Sequence, residues 1–120
     1  MSQPESAKVE PAVELSEQDV GRIYGDVIEA MRHVYDPEIP INIYEVGLIY
    51  GVKVNPDGFV HIRMTLTSPS CPAAQILPIE VDSAARSIPG VKDVKVDIVW
   101  DPTWTPAMMT EAARLTLGLL

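Results

Sequence analysis

The sequence predicts an α/β chain of the α+β kind, a two-layer sandwich with helices covering one face of a small three-stranded mixed sheet in the order α-β-β-α-β-α. Three observations predict it. Apolar residues recur at helical spacing near the N-terminus, they alternate singly in later segments, and Pro/Gly/Asp/Asn clusters separate these stretches. With 120 residues the chain has the length of one domain, and a chain of that size buries roughly two-thirds of its unfolded surface without a metal or disulfide staple. A hydrophobic content of 47% excludes a disordered chain.

Residues 1–15 carry Pro4, Pro11, Glu5, Glu10 and Glu14 with no apolar period, and read as a mobile acidic tail before a single domain spanning 16–120. From Ser16 onward, Val20, Ile23, Tyr24, Val27, Ile28 and Met31 make one helical stripe, with Ser16 as N-cap and Asp19 as its capping-box partner. This helix is expected to end near His33, because Asp36-Pro37-Glu38-Ile39-Pro40 cannot continue it. Val46 to Val54 is rich in β-branched residues and reads as the first strand, with Gly47 and Gly51 inside it marking a bulge or a close backbone approach. Asn55-Pro56-Asp57-Gly58 is a turn whose Gly58 tolerates positive φ. Val60, Ile62, Met64 and Leu66 then alternate with His61, Arg63, Thr65 and Thr67, completing a hairpin with one buried face.

Ser68-Pro69-Ser70-Cys71-Pro72 reads as a loop into a second helix from about Ala73 to Ser87, bent or delayed by Pro78 and stopped by Ile88-Pro89-Gly90. Val91, Val94, Val96, Ile98 and Trp100 make a third strand with Trp100 continuing the buried alternation, and Asp101-Pro102 ends it. Thr105 as N-cap and Pro106 at the first helical position open a last helix to about Leu117. The pattern leaves the strand order open.

Charge and composition narrow the function. Nine Lys plus Arg against seventeen Asp plus Glu give a net charge of -8, which repels a polyphosphate backbone, so no nucleic acid is expected. No apolar stretch reaches the ~18 residues of a membrane span, and no membrane partner is expected. The N-terminus lacks the basic flank and apolar run of a secretion signal, which points to the cytoplasm. No nucleophile elbow, phosphate-binding loop, dinucleotide fingerprint or zinc-protease motif is present, so no enzyme activity is expected.

Cys71 is the one cysteine, which excludes an internal disulfide and a multi-cysteine metal site within one chain. Its place before Pro72 makes it the expected N-cap of the second helix, where unpaired N–H groups and the helix dipole would favour a reactive thiolate. The alternative is a small buried hydrophobe. Asp36 and Glu38 flank Pro37 and read either as solvated turn formers or as a rigid acidic loop beside Cys71 that supplies oxygen ligands or a docking surface. His33 and His61 read as solvated rather than catalytic, Trp104 as a staple or an exposed anchor, and Met108 and Met109 as packing.

Four blocks taken together carry a family resemblance: Asp36-Pro37-Glu38-Ile39-Pro40-Ile41-Asn42-Ile43 with Val46-Gly47-Leu48-Ile49-Tyr50, Met64 through Pro72, Ile88-Pro89-Gly90-Val91, and Trp104-Thr105-Pro106-Ala107-Met108-Met109. The chain resembles the SufT-type iron-sulfur cluster assembly family over nearly all of 21–119. The resemblance implies an iron-sulfur assembly domain that matures iron-sulfur proteins alongside a SUF-type system, with the family's cysteine at Cys71 and its acidic motif at Asp36 and Glu38. Ser70 before Cys71 and Pro72-Ala73-Ala74 after it place the chain in a Ser-Cys-Pro branch. Related proteins that assist assembly of an aromatic-ring-oxygenating complex carry additional C-terminal cysteines, which this chain lacks.

A cluster normally takes four ligands, mostly thiolates, and one cysteine per chain cannot supply them. The expected mechanism is therefore a transient cluster ligated by Cys71, bridging a homodimer, with a small thiol, Asp36, Glu38 or the client completing the shell. SUF-type assembly proteins and client apoproteins are the expected partners. A metal-free adaptor that recruits clients through the acidic surface and the Trp104 region is the second reading, and a thiol enzyme the third.

Overall fold

Ser16 opens the first element of the computed structural model, which describes residues 14–37, 39–68 and 75–119. Helix α1 (Glu17–Met31) begins with a full capping box: the Ser16 hydroxyl accepts the Asp19 N–H at 3.1 Å and the Asp19 carboxylate accepts the Ser16 N–H at 3.4 Å. Ile23, Val27 and Met31 form its buried stripe, as the periodicity predicts. The tail expected over 1–15 lies outside the described residues up to residue 13; Leu15 donates its N–H to the Pro56 carbonyl at 2.7 Å and packs against the core.

The first strand starts later than its β-branched composition predicts, because a one-turn helix α2 (Ile43–Val46) takes up the segment containing Val46. The Asn42 side chain accepts the Glu45 N–H at 3.0 Å at one end of α2, and Gly47 at φ 90 closes the other. Ile43 and Val46, three residues apart, thereby both reach the core. Strand β1 (Ile49–Val54) follows, and Asn55 to Gly58 turn it into antiparallel β2 (Phe59–Met64), with Gly58 at φ 91. The pairing slips between Ile49 and Gly51, so Tyr50 is the extra residue of the irregularity that the strand glycines suggested.

Helix α3 (Leu77–Arg86) carries the chain over to β3 (Asp93–Ile98), which runs parallel to β2 and makes the sheet order β1-β2-β3. Pro78 stands in the first turn of α3, and its N-cap is Ile76, so the described helix starts at Leu77 rather than near Ala73. Val54, Val60 and Val94 share one register row and Val52, Ile62 and Val96 the next; this face packs against α1 and α3. Lys53, His61 and Lys95, and then Gly51, Arg63 and Asp97, line the opposite face. The two-layer architecture with a three-stranded mixed sheet is the one predicted.

Two expectations fail near the C-terminus. Trp100 does not continue the core: β3 ends at Ile98 and Trp100 is 44% exposed. The last helix is split, with a 3-10 turn at Pro106–Met108, extended Met109, and α4 (Glu111–Thr116). Thr110 supplies a second N-cap, its hydroxyl accepting the Ala113 N–H at 3.1 Å, and the break between them sends Met109 into the core. Among the described residues the named elements therefore run α-α-β-β-α-β-α, with a 3-10 turn before the last helix.

Gly47 joins two constraints, a positive φ and a backbone pressed against the Met108 carbonyl, where a β-carbon would collide. Gly47→Ala is expected to cost about 1–3 kcal/mol, read as a lower urea midpoint at unchanged m-value. An unmoved midpoint would show that neither constraint matters.

Candidate functional site

The segment that carries Cys71 leaves from the end of β2 and returns at α3. At the end of β2 the chain is bonded on both sides: Val99 donates its N–H to the Met64 carbonyl at 2.8 Å, and Thr65, the next residue, donates its own to the Leu48 carbonyl at 2.8 Å. Thr65 and Leu66 are buried, giving the segment a rigid stem. On the return side Ile76 and Ile79 are 49% and 69% exposed. Cys71 itself lies outside the described residues. The N-cap of α3 is Ile76, with no side-chain cap bond; the N-cap role expected of Cys71 lies outside the described residues. Pro78 stands in the first turn of α3, and the place expected of Pro72 lies outside the described residues.

Asp36 lies in the loop between α1 and α2. Ile43 closes this loop by donating its N–H to the Val34 carbonyl at 2.8 Å, Tyr35 and Asn42 form an isolated bridge, and Ile39 donates its N–H to the Asp36 carbonyl at 3.2 Å. The Asp36 side chain is buried, 3% exposed, and not the solvated turn carboxylate or docking surface that residue type alone suggests. Glu38 lies outside the described residues. Of the three residues singled out from sequence, the structure thus describes Asp36 alone. Among the described residues no three His, Cys, Asp or Glu side chains come together in a way that could hold a metal.

A C-terminal strap braces this region. Glu45 Oε2 pairs with Arg32 Nη1 at 2.8 Å, Glu45 Oε1 accepts the Thr110 hydroxyl at 2.7 Å, and the Glu45 carbonyl accepts the Thr110 N–H at 3.0 Å. The Arg32 guanidinium also stacks 4.5 Å above the Tyr44 ring. Trp104 is the staple rather than the exposed anchor: half-buried, it donates its indole N–H to the Val46 carbonyl at 2.9 Å. Tyr50 donates its hydroxyl to the Pro102 carbonyl at 2.7 Å. Burial pushes the Tyr50 phenol up from 10.0, the Thr65 side chain opposes this in part, and the Asp101 carboxylate adds to it. Apart from Trp104, sequence reasoning missed this network, although Asn42 and Gly47 bracketing Glu45 is a readable signature of a one-turn helix. Exposed His33 lies 3.3 Å from Glu29, and half-buried His61 lies 2.6 Å from Asp97 on the sheet face away from α1 and α3.

The sequence pattern of a family described as iron-sulfur cluster assembly protein matches residues 25–98. The chain is 50% identical over 95 residues to an Fe-S protein maturation auxiliary factor of Porphyromonas gingivalis, covering 79% of this chain and 90% of that one. It is 41% identical over 86 residues to the Fe-S protein maturation auxiliary factor SufT of Staphylococcus aureus, covering 72% and 98%. Its fold superposes on the crystal structure of a domain of unknown function from Bacillus anthracis with a TM-score of 0.80 at 27% identity, covering 88% of this chain and 100% of that one.

Glu45→Ala is expected to destabilise the fold by about 1–3 kcal/mol and to speed amide exchange at Thr110 more than at Val60 in the central strand. Equal acceleration at both would show that Glu45 does not hold the strap. For Tyr50, a phenol that titrates higher when folded keeps a proton the unfolded chain loses. Its contribution to stability is therefore whole below pH 10.0 and is lost as the pH rises through the folded value. The difference between the phenolate absorbance titrations of the native chain and Tyr50→Phe is expected to show one group with its midpoint above 10.0.

Proposed function

We propose, because the chain belongs to the iron-sulfur cluster assembly protein family, that it works as an accessory factor in iron-sulfur cluster assembly or transfer to client apoproteins. The observation that carries this reading is the likeness to Fe-S protein maturation auxiliary factors along most of the chain. The cluster is cargo, held and released rather than kept.

Cys71 is the proposed thiolate ligand, being the one soft anionic donor in the sequence. Asp36 and Glu38 are the proposed oxygen donors of the same site. One thiolate leaves most of a cluster's coordination to others, so the proposed shell is completed by Cys71 of a second copy, a small thiol or the client. That incompleteness suits handover, because a client that brings several thiolates replaces a single weak holder. The proposed partners are SUF-type assembly proteins and client apoproteins, met in the cytoplasm, with no catalytic turnover by this chain. The braced stem at Thr65 and Leu66 supports the reading by giving the Cys71 segment a fixed base.

An adaptor that never touches iron is the second reading, favoured by exposed Ile76 and Ile79 beside the Cys71 segment. Anaerobic reconstitution with iron and sulfide separates the two. Wild type is expected to take up a cluster, seen in visible absorption together with a shift to dimer mass. Cys71→Ser is expected to lose nearly all of it, and Asp36→Asn to surrender iron faster to a chelator. Equal iron and sulfide in wild type and Cys71→Ser would overturn ligation by Cys71, and client capture that survives Cys71→Ser but not Ile79→Asp would favour the adaptor.

A further inference from the structure

We propose that the cleft between β1 and the C-terminal strap is a binding site for a small aromatic carboxylate, with Arg63 holding the carboxylate. The cleft has a volume of about 580 Å³, and Tyr44, Tyr50, Pro102 and Met108 wall it, with Arg63 and Thr110 supplying polar groups. Small-molecule sites have this size and this mixture of mainly apolar walls with a few placed polar groups.

Seventeen acids face nine Lys plus Arg in this chain, and three of its five arginines are paired. Arg22, Arg32 and Arg86 each pair with a carboxylate at 3.2 Å, 2.8 Å and 2.6 Å respectively. Among the described residues Arg63 and Arg114 make no ion pair, and of the two Arg63 lines this cleft. Its guanidinium lies across Gly51, its partner in the β1–β2 register, where a β-carbon would stand 2.9 Å from Nη2 and 3.4 Å from Nε. A glycine at 51 therefore lets the planar fork lie down on the strand and line the cleft.

The opposite wall is fixed. The register slip makes Tyr50 the extra residue, and its hydroxyl is tied to the Pro102 carbonyl at 2.7 Å and touches the Met108 sulfur at 3.4 Å. Rings and a thioether facing a single guanidinium match a flat apolar body with one carboxylate, which the guanidinium takes through two parallel N–H···O bonds. One cation in a chain of net charge -8 disfavours a polyanion. The site uses none of Cys71, Asp36 or Glu38, so it stands or falls apart from cluster ligation.

The test is a nuclear magnetic resonance titration of the full chain with benzoate as the probe and benzamide as its neutral counterpart, following the Arg63 Nε–H and the Met108 methyl. Benzoate is expected to shift both saturably, and benzamide and the Arg63→Gln chain to bind about tenfold more weakly or worse. Arg63→Lys, keeping the charge without the fork, is expected to fall between, and Gly51→Ala to weaken benzoate by displacing the guanidinium. Unchanged sheet amide shifts in each variant establish that the fold survives. Equal binding of benzoate and benzamide, undiminished binding by Arg63→Gln, or the absence of saturable shifts at these two groups would overturn the proposal.

Discussion

The structure depends on the double pairing of its central strand. Strand β2 is bonded to β1 on one side and β3 on the other, its last residue Met64 accepts from Val99, and the next, Thr65, still donates to Leu48. Buried amides must find partners, and these bonds satisfy them where the strand itself has ended. Because the pairings are fixed, Val60, Ile62 and Met64 are committed to the face that α1 and α3 cover. His61 and Arg63 are committed to the other face, with Lys53 and Lys95 beside them.

A second layer of order comes from the chain beyond β3. Trp104, Met108 and Thr110 return across the molecule to α2, where the Val46 carbonyl, the Gly47 backbone and Glu45 receive them. Each contact uses a group that α2 leaves available: a terminal carbonyl, a residue without a side chain, and a carboxylate that Arg32 also holds. The strap thereby braces the loop that carries Asp36 and, on its other side, walls the cleft that Arg63 lines.

Much of this was legible along the chain, because local signals agreed with the tertiary result. Ser16 and Asp19 cap α1 as their spacing predicts, Gly58 takes its positive φ, and the alternation from Val60 to Met64 faces the core. The misreadings share one cause, a strong local preference overruled by a distant contact or a second cap. Val46 has strand propensity but sits between an Asn42 cap and Gly47; Thr105-Pro106 starts a helix, yet Thr110 starts another; Trp100 fits the alternation, but the strand has already ended.

For the site, residue types and their neighbours in sequence made Cys71, Asp36 and Glu38 candidates and the family resemblance joined them, since one thiol among Pro-flanked residues and two carboxylates around a proline are local features. Fold class, helix stripe, hairpin and net charge were equally local, being properties of spacing and composition. The burial of Asp36, the Ile76 cap of α3, the bracing of Glu45 by Thr110 across 65 positions and the laying of Arg63 over Gly51 came from the folded chain alone. They arise from pairings between residues far apart in sequence, and no periodicity records which distant partner a side chain or a carbonyl will meet.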